Sequence, residues 1–261
     1  MTGSKKLISF IIYSEKGFFK KPDINDTIYL TYNMIHKPAV LGILGAIIGL
    51  EGFKKGNQLP EYYQRLKSIP VGIKPVNSKN GSFQKVVITY NNTTGFASEE
   101  KGGNLIINEQ TLLNPSYKIY LLLDMGNEDQ KKLYNYIKNQ KSEYLPYMGK
   151  NDYSLWWYKD EVEEYEYEEF KSYNDFCIDT IFIKSGPVWS SVVEAIGRRA
   201  LAEQQSWFFI FERLPYKYNE NLFQYDITDF VYTNAKLKKN ANINSENLYK
   251  IKNQKKVVFL Y

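Results

Sequence analysis

The sequence predicts an α+β protein: a ferredoxin-like (RRM-like) βαββαβ core followed by a smaller, β-rich C-terminal part. Three observations predict it. Short β-branched apolar runs recur along the chain. Two segments with helical periodicity interrupt those runs at the places where a βαββαβ order needs its helices. After Asp160 the composition shifts to an acidic run followed only by strand-like segments.

The run Leu7 to Tyr13 is apolar, β-branched and short, which predicts a buried first strand. A turn-rich stretch follows from Ser14 to Asn33. Pro38 then stands where a first helical residue should, and Ala39, Val40, Leu41, Ile43, Leu44, Ile47 and Ile48 continue a helix that is apolar almost all round. Gly42, Gly45 and Gly49 recur at spacings of three and four, so they share a face that another backbone can approach. Two readings of that face are open, packing of the helix on a sheet or passage of RNA or a neighbouring subunit.

Phe83 to Tyr90 and Tyr117 to Asp124 read as strands. The insert between them, Asn91 to Gln110, is long for a hairpin connection, and Leu105 to Ile107 forms a short strand within it. Asn127 to Gln140 opens on a capping Asn with acidic residues early and lysines late, and sets Leu133, Tyr134 and Ile137 on one face: a second helix. A strand over Tyr153 to Tyr158 completes the βαββαβ order.

Glu161 to Glu169 is densely acidic and reads as a solvated loop, or as a segment that repels RNA or docks a basic partner. Strands are expected at Ile178 to Ile183, Ser206 to Glu212 and Lys256 to Leu260, with an exposed Asn/Lys-rich connector from Lys236 to Asn253. The expected division is 1–160 for the core, with its insert at 91–110, and 161–261 for the C-terminal extension.

Composition narrows the function. The chain carries 34 Lys and Arg against 29 Asp and Glu, a net charge of +5 that favours a polyanionic partner. Its 23 Tyr, 15 Phe and 4 Trp supply rings that stack on unpaired bases, although most such rings serve a core or a sheet. The lone cysteine, Cys177, excludes an intrachain disulfide and points to a reducing compartment, hence a cytoplasmic location. The start lacks a signal-peptide pattern, and the most apolar window, Ala39 to Leu50, is too short to span a bilayer, so no membrane role is expected.

His36 is the single histidine, which excludes histidine-pair nucleases and two-histidine zinc proteases; no phosphate-binding P-loop occurs. No metal site and no cofactor are expected. Tyr32, His36 and Lys37 lie close in sequence at the start of the first helix. That cluster serves either as an anion site, where helix N–H groups already favour phosphate, or as base and cation for metal-independent RNA cleavage. Binding is the expected role and catalysis is not.

The pieces Gly17-Phe-Phe-Lys-Lys-Pro22, Leu30-Thr-Tyr-Asn-Met-Ile-His-Lys-Pro-Ala-Val-Leu-Gly-Ile-Leu-Gly-Ala-Ile-Ile-Gly-Leu50, Asn104-Leu-Ile-Ile-Asn-Glu-Gln-Thr-Leu-Leu-Asn-Pro115, Leu145-Pro-Tyr-Met-Gly-Lys-Asn-Asp152 and Phe211-Glu-Arg-Leu-Pro215 occur together and in this order. In them the chain resembles the Cas-five proteins of CRISPR subtype I-B, members of the repeat-associated RNA-binding superfamily. The resemblance implies a ferredoxin-like core with a protruding β-hairpin thumb. It also implies a place in the Cascade ribonucleoprotein complex, where the family caps the 5′ handle of the crRNA in antiviral defence. The neighbours would be the large subunit and the first backbone subunit, with target DNA reached only through the complex. In subtype I-C the corresponding subunit cleaves precursor RNA, whereas in I-B a separate subunit does so.

By position the insert should be the thumb and the segment Tyr32 to Gly45 should lie beside the handle. Candidate RNA-binding residues are then Tyr32, His36, Lys37, Gly42 and Gly45 on the first-helix side and Asn91, Asn92, Thr94, Gly95, Phe96 and Asn104 on the thumb. Phe96 supplies either a wedge against a splayed base or a clasp within the hairpin. Gly149 and Lys150 offer a backbone N–H and a charge to phosphate, or form a plain turn with an exposed lysine.

Overall fold

A computed structural model describes residues 4–22, 27–54, 58–92, 105–171, 174–186, 188, 192, 207–239, 241–254 and 256–261. In chain order the elements are β1 (Lys5–Tyr13), β2 (Lys16–Gly17), β3 (Ile28–Tyr29), α1 (Lys37–Ile48), α2 (Glu61–Leu66), β4 (Val71–Val76), β5 (Lys85–Asn92), β6 (Leu105–Leu113), β7 (Ser116–Asp124) and α3 (Glu128–Lys138). They continue as β8 (Glu163–Tyr165), β9 (Tyr167–Glu169), β10 (Phe182–Ile183), β11 (Phe209–Asn219), β12 (Gln224–Thr233), β13 (Leu248–Ile251) and β14 (Lys256–Phe259). The chain is thus α+β and rich in sheet.

The first sheet has the order β4-β7-β1-β8, with antiparallel neighbours throughout. Its centre is the full-length pairing of β1 with β7, from Lys5 opposite Asp124 to Tyr13 opposite Ser116. Phe10, Ile12, Ile119 and Leu121 are sealed from solvent, each burial contributing roughly 1.5–3 kcal/mol. Helix α1 lies between β1 and β4 in sequence and α3 between β7 and β8.

Two strands of this sheet are not those expected. The strand after α1 is Val71–Val76, while the run from Lys85 belongs to a separate hairpin in which β5 pairs with β6. Gly72 and Pro75 disguise β4. A Cβ at Gly72 would stand 2.6 Å from Leu260 Cδ2, so a glycine is required where the chain's last residues cross, and Tyr261 exchanges backbone hydrogen bonds with Val71 at 3.0 and 3.1 Å. Tyr153 to Tyr158 makes only isolated bridges, and the edge position falls instead to Glu163–Tyr165.

The acidic run is therefore not a loop. Glu164 meets Lys6 at 2.6 Å, Glu163 meets Lys118 at 2.8 Å, and Glu168 on β9 meets Lys250 at 2.8 Å, so lysines on neighbouring strands hold its carboxylates. Tyr165, Tyr167 and Tyr249 pack beside Leu7, Leu122 and Val258 in an apolar cluster of their own. Pairing crosses residue 160, since β8 completes the sheet begun by β1.

Helix α1 is apolar nearly all round because most of its surface is covered. Val40, Leu41, Leu44 and Ile47 are buried, and α2, α3 and β11 all contact it. His36 caps its start, with Nδ1 accepting from Ala39 N–H at 3.3 Å, and Gly49 ends it at φ 81°. The glycine face turns to another helix, not to the sheet. A Cβ at Gly45 would lie 2.4 Å from Tyr62 Cβ on α2, whereas one at Gly42 would lie an ordinary 3.7 Å from the Tyr62 ring.

Beyond residue 160, β10, β12 and β11 form a second sheet, and β14, β13 and β9 a third. The stretch from Lys236 to Asn253, expected as an exposed connector, supplies β13 and buries Leu237, Leu248 and Ile251. No helix among the described residues is long and apolar enough to cross a membrane.

Candidate nucleic-acid interface

The loop into α1 is pinned on three sides. The Glu212 carboxylate on β11 accepts from the backbone N–H groups of Asn33 and Met34 at 2.8 and 2.9 Å. Tyr117 O–H donates to Asn33 O at 2.6 Å, and Asn33 donates to Gly81 O at 2.8 Å while accepting from Phe83 N–H at 3.0 Å. Burial holds the Glu212 carboxyl above the usual carboxylate range, against the two backbone donors. The FERLP piece of β11 thus fixes where α1 begins.

Beside that start lies a cleft of about 550 Å³. Phe18 and Phe19 form one wall, and the α1 residues His36, Gly42 and Ile43 form the floor. Tyr62 from α2, Tyr225 from β12, and Tyr144 and Tyr147 from the segment after α3 close the remainder. Among the described residues Lys20 and Glu51 are its only charged lining residues, so these walls make an aromatic slot and not a basic channel.

The expected site residues separate into groups. His36, Gly42 and Gly149 line the cleft. Tyr32 does not: it is 3% exposed, and its backbone N–H donates to Phe19 O. Lys37 turns away, donating from Nζ to the Tyr261 carbonyl at 2.6 Å, and burial lowers its pKa to about 8. Gly45 is filled by Tyr62. Of the Tyr32, His36 and Lys37 cluster, the two rings therefore meet edge to face, at 5.8 Å between centroids, while the lysine leaves them.

Gly149 and Lys150 serve the fold. Gly149 stands at φ 83° with Phe18 O 2.0 Å from where a Cβ would sit, so the chain approaches too closely for any side chain. Lys150 Nζ reaches Glu109 Oε2 at 3.2 Å and Tyr90 Oη at 3.2 Å. Burial opposes its charge, but the bonds to Tyr90 and Glu109 outweigh it and push the ammonium up to about 12. Neither an exposed lysine nor an unengaged phosphate ligand describes it.

On the hairpin, Asn91 is exposed and pairs with Ile106, and Asn92 pairs with Leu105. Thr94, Gly95, Phe96 and Asn104 lie outside the described residues. Hairpin and cleft share one segment: Gly149 lines the cleft, and the next residue, Lys150, grips Tyr90 on β5 and Glu109 on β6. The rings Phe19, Tyr62, Tyr144, Tyr147 and Tyr225 were not among the expected site residues. Apart from Tyr144 and Tyr147, which share the segment after α3, they come from separate segments with no local spacing to link them.

Several solved structures similar to this chain are of CRISPR-associated proteins. A chain of the Type III-B Cmr-beta structure bound to cognate target RNA and AMPPnP matches at a TM-score of 0.50 and 8% identity, over 97% of this chain and 99% of that one. A chain of a CRISPR RNA-guided surveillance complex gives 0.48 and 8% over 87% and 90%, and a CRISPR protein from Archaeoglobus fulgidus gives 0.44 and 12% over 98% of both. The class that the Cmr-beta likeness defines is one of fold: sheet-rich α+β, shared end to end with that chain. No protein-family model matches the chain, and no curated protein is similar to it in sequence.

Proposed function

We propose that this chain is a non-catalytic, guide-RNA-binding subunit of a CRISPR surveillance complex. Within that class we assign it to the Cas-five kind of subtype I-B, seated on the 5′ handle of the crRNA between the large subunit and the first backbone subunit. The order β8-β1-β7-β4, with α1 and α3 as crossovers, is read as a ferredoxin-like unit, and β5–β6 as its thumb. The observation that carries the reading is the segment 147–150, which lines the aromatic cleft and fastens the hairpin beside it, so that one short strand of RNA meets both.

The absence of catalysis is supported by Lys37, whose Nζ leaves the adjoining Tyr32 and His36 rings for the Tyr261 carbonyl. A base must converge with a cation on one phosphodiester, and burial lowers the His36 pKa to about 3, far from that of an efficient general base at neutral pH.

The test is reconstitution with the partner subunits and end-labelled crRNA. Nuclease protection of the repeat-derived 5′ segment is expected with the complete set and lost when this chain is omitted. Unchanged protection without it, or site-specific cutting of precursor repeat RNA by the purified chain in EDTA, overturns the proposal.

A further inference from the structure

His36 is 9% exposed, and its ring is confined by Phe19, Tyr32 and Tyr225, with centroids 6.0, 5.8 and 6.0 Å away. Its Nδ1 accepts from Ala39 N–H, which puts the proton of the neutral ring on Nε2. Among the described residues nothing accepts from Nε2–H. Among the described residues the one buried side-chain polar atom without a partner is Tyr261 Oη, so His36 Nε2–H is not sealed in but reaches open space. His36 lines the cleft, and with Nδ1 engaged by the helix, Nε2–H is the polar edge left to face it.

The ligand class follows from the walls. A phosphate needs several donors or cations, and among the described residues the lining offers one lysine opposed by one glutamate. An aliphatic chain has no use for the donor. A flat ring with an in-plane acceptor matches both the aromatic walls and the single N–H, and a space of about 550 Å³ holds a base with its ribose.

We propose that the cleft receives one unpaired nucleobase of a single RNA strand, held by the aromatic walls and by a hydrogen bond from His36 Nε2–H to an acceptor on the base. This deepens, and rests on, the reading of the chain as a guide-RNA subunit. A free nucleotide carries the same chemistry, and the test separates the two sources.

The test places 2-aminopurine at successive single positions of the repeat-derived segment in the assembled complex. One position is expected to be strongly quenched by stacking. In His36→Ser, whose hydroxyl retains the helix cap, quenching at that position should weaken more than at any other. In the isolated chain the affinity for a short strand should fall about fivefold, the net worth of one hydrogen bond. Tyr147→Ala, at an exposed lining ring whose hydroxyl makes no hydrogen bond among the described residues, should act in the same direction without loss of the fold. Even quenching at all positions, or quenching that neither variant changes, overturns the inference while leaving the guide-RNA reading intact. Failure of the wild-type complex to retain RNA overturns both. A free mononucleotide that binds the chain as tightly as the strand does, with the same loss in His36→Ser, overturns the strand as the source.

Discussion

Lys150 and Glu109 form an ion pair at 3.2 Å in which the carboxylate is 2% exposed and the ammonium retains a path to solvent. Tyr153 O–H also donates to Glu109, at 3.1 Å, and Tyr90 O–H lies 3.3 Å from its other oxygen. The pair ties the segment that lines the cleft to the base of the hairpin, far from it in sequence.

Removing the cation alone leaves a buried carboxylate with only hydroxyl partners. Lys150→Met should therefore destabilise the chain by about 2–4 kcal/mol, since breaking one side of a buried pair costs more than the pair contributes. Adding Glu109→Gln should recover part of that loss. Chemical denaturation of the two single variants and the double variant measures the coupling, and additive losses would show that the two residues act separately.

The glycines of α1 separate by where a methyl group would go. At Gly42 it meets the Tyr62 ring at 3.7 Å, an ordinary contact, so Gly42→Ala should stabilise by about 0.5–1 kcal/mol through helix propensity. At Gly45 it would stand 2.4 Å from Tyr62 Cβ, so Gly45→Ala should push α2 outward and cost about 1–3 kcal/mol as overpacking. Thermal unfolding of the two variants should shift in opposite directions.

Gly149→Ala should be the most damaging of the small substitutions. It combines a positive φ with a methyl group directed at Phe18 O, and the strained backbone alone costs about 1–3 kcal/mol before the clash is added. Loss of soluble, folded chain on expression is the expected result. A Gly149→Ala protein with wild-type unfolding would mean that the 18–19 and 148–149 segments are not joined as described.

Much of this architecture was legible because its signals are local. Pro38 and the apolar run after it mark α1, Asn127 marks α3, and the continuous apolar stretches mark β1 and β7, because each feature acts within a turn or a strand of its own position. β4 was hidden by Gly72, whose reason lies in Leu260 at the other end of the chain, and by Pro75, which a strand at the sheet edge tolerates. β8 was hidden by charges that Lys6 and Lys118 hold from other strands. The same distinction runs through the site. His36, Gly42 and Gly149 sit in contiguous pieces that single them out, whereas Tyr62, Tyr147 and Tyr225 converge only once α2, the 144–149 segment and β12 have packed. Lys37 and Lys150 show the converse: a lysine beside a helix start or a glycine looks like a phosphate ligand until its partner, Tyr261 or Glu109, is in place.

His36 makes the stability of the chain depend on pH in a separable way. Burial lowers its pKa from 6.5 to about 3, so between those values the unfolded chain binds a proton that the folded chain refuses. Its contribution to stability is therefore full above pH 6.5 and falls as the pH drops through that window, by about 1.4 kcal/mol for each unit well below 6.5. Other groups titrate over the same range, so the quantity to measure is the difference in unfolding free energy between the wild-type chain and His36→Ser. Serine keeps a cap on α1 and does not titrate. That difference should be flat from pH 8 to 7 and should then move in favour of the serine variant between pH 6 and 4.5; a difference that stays constant would mean the imidazole is solvated, and with it the closed floor of the cleft would be lost.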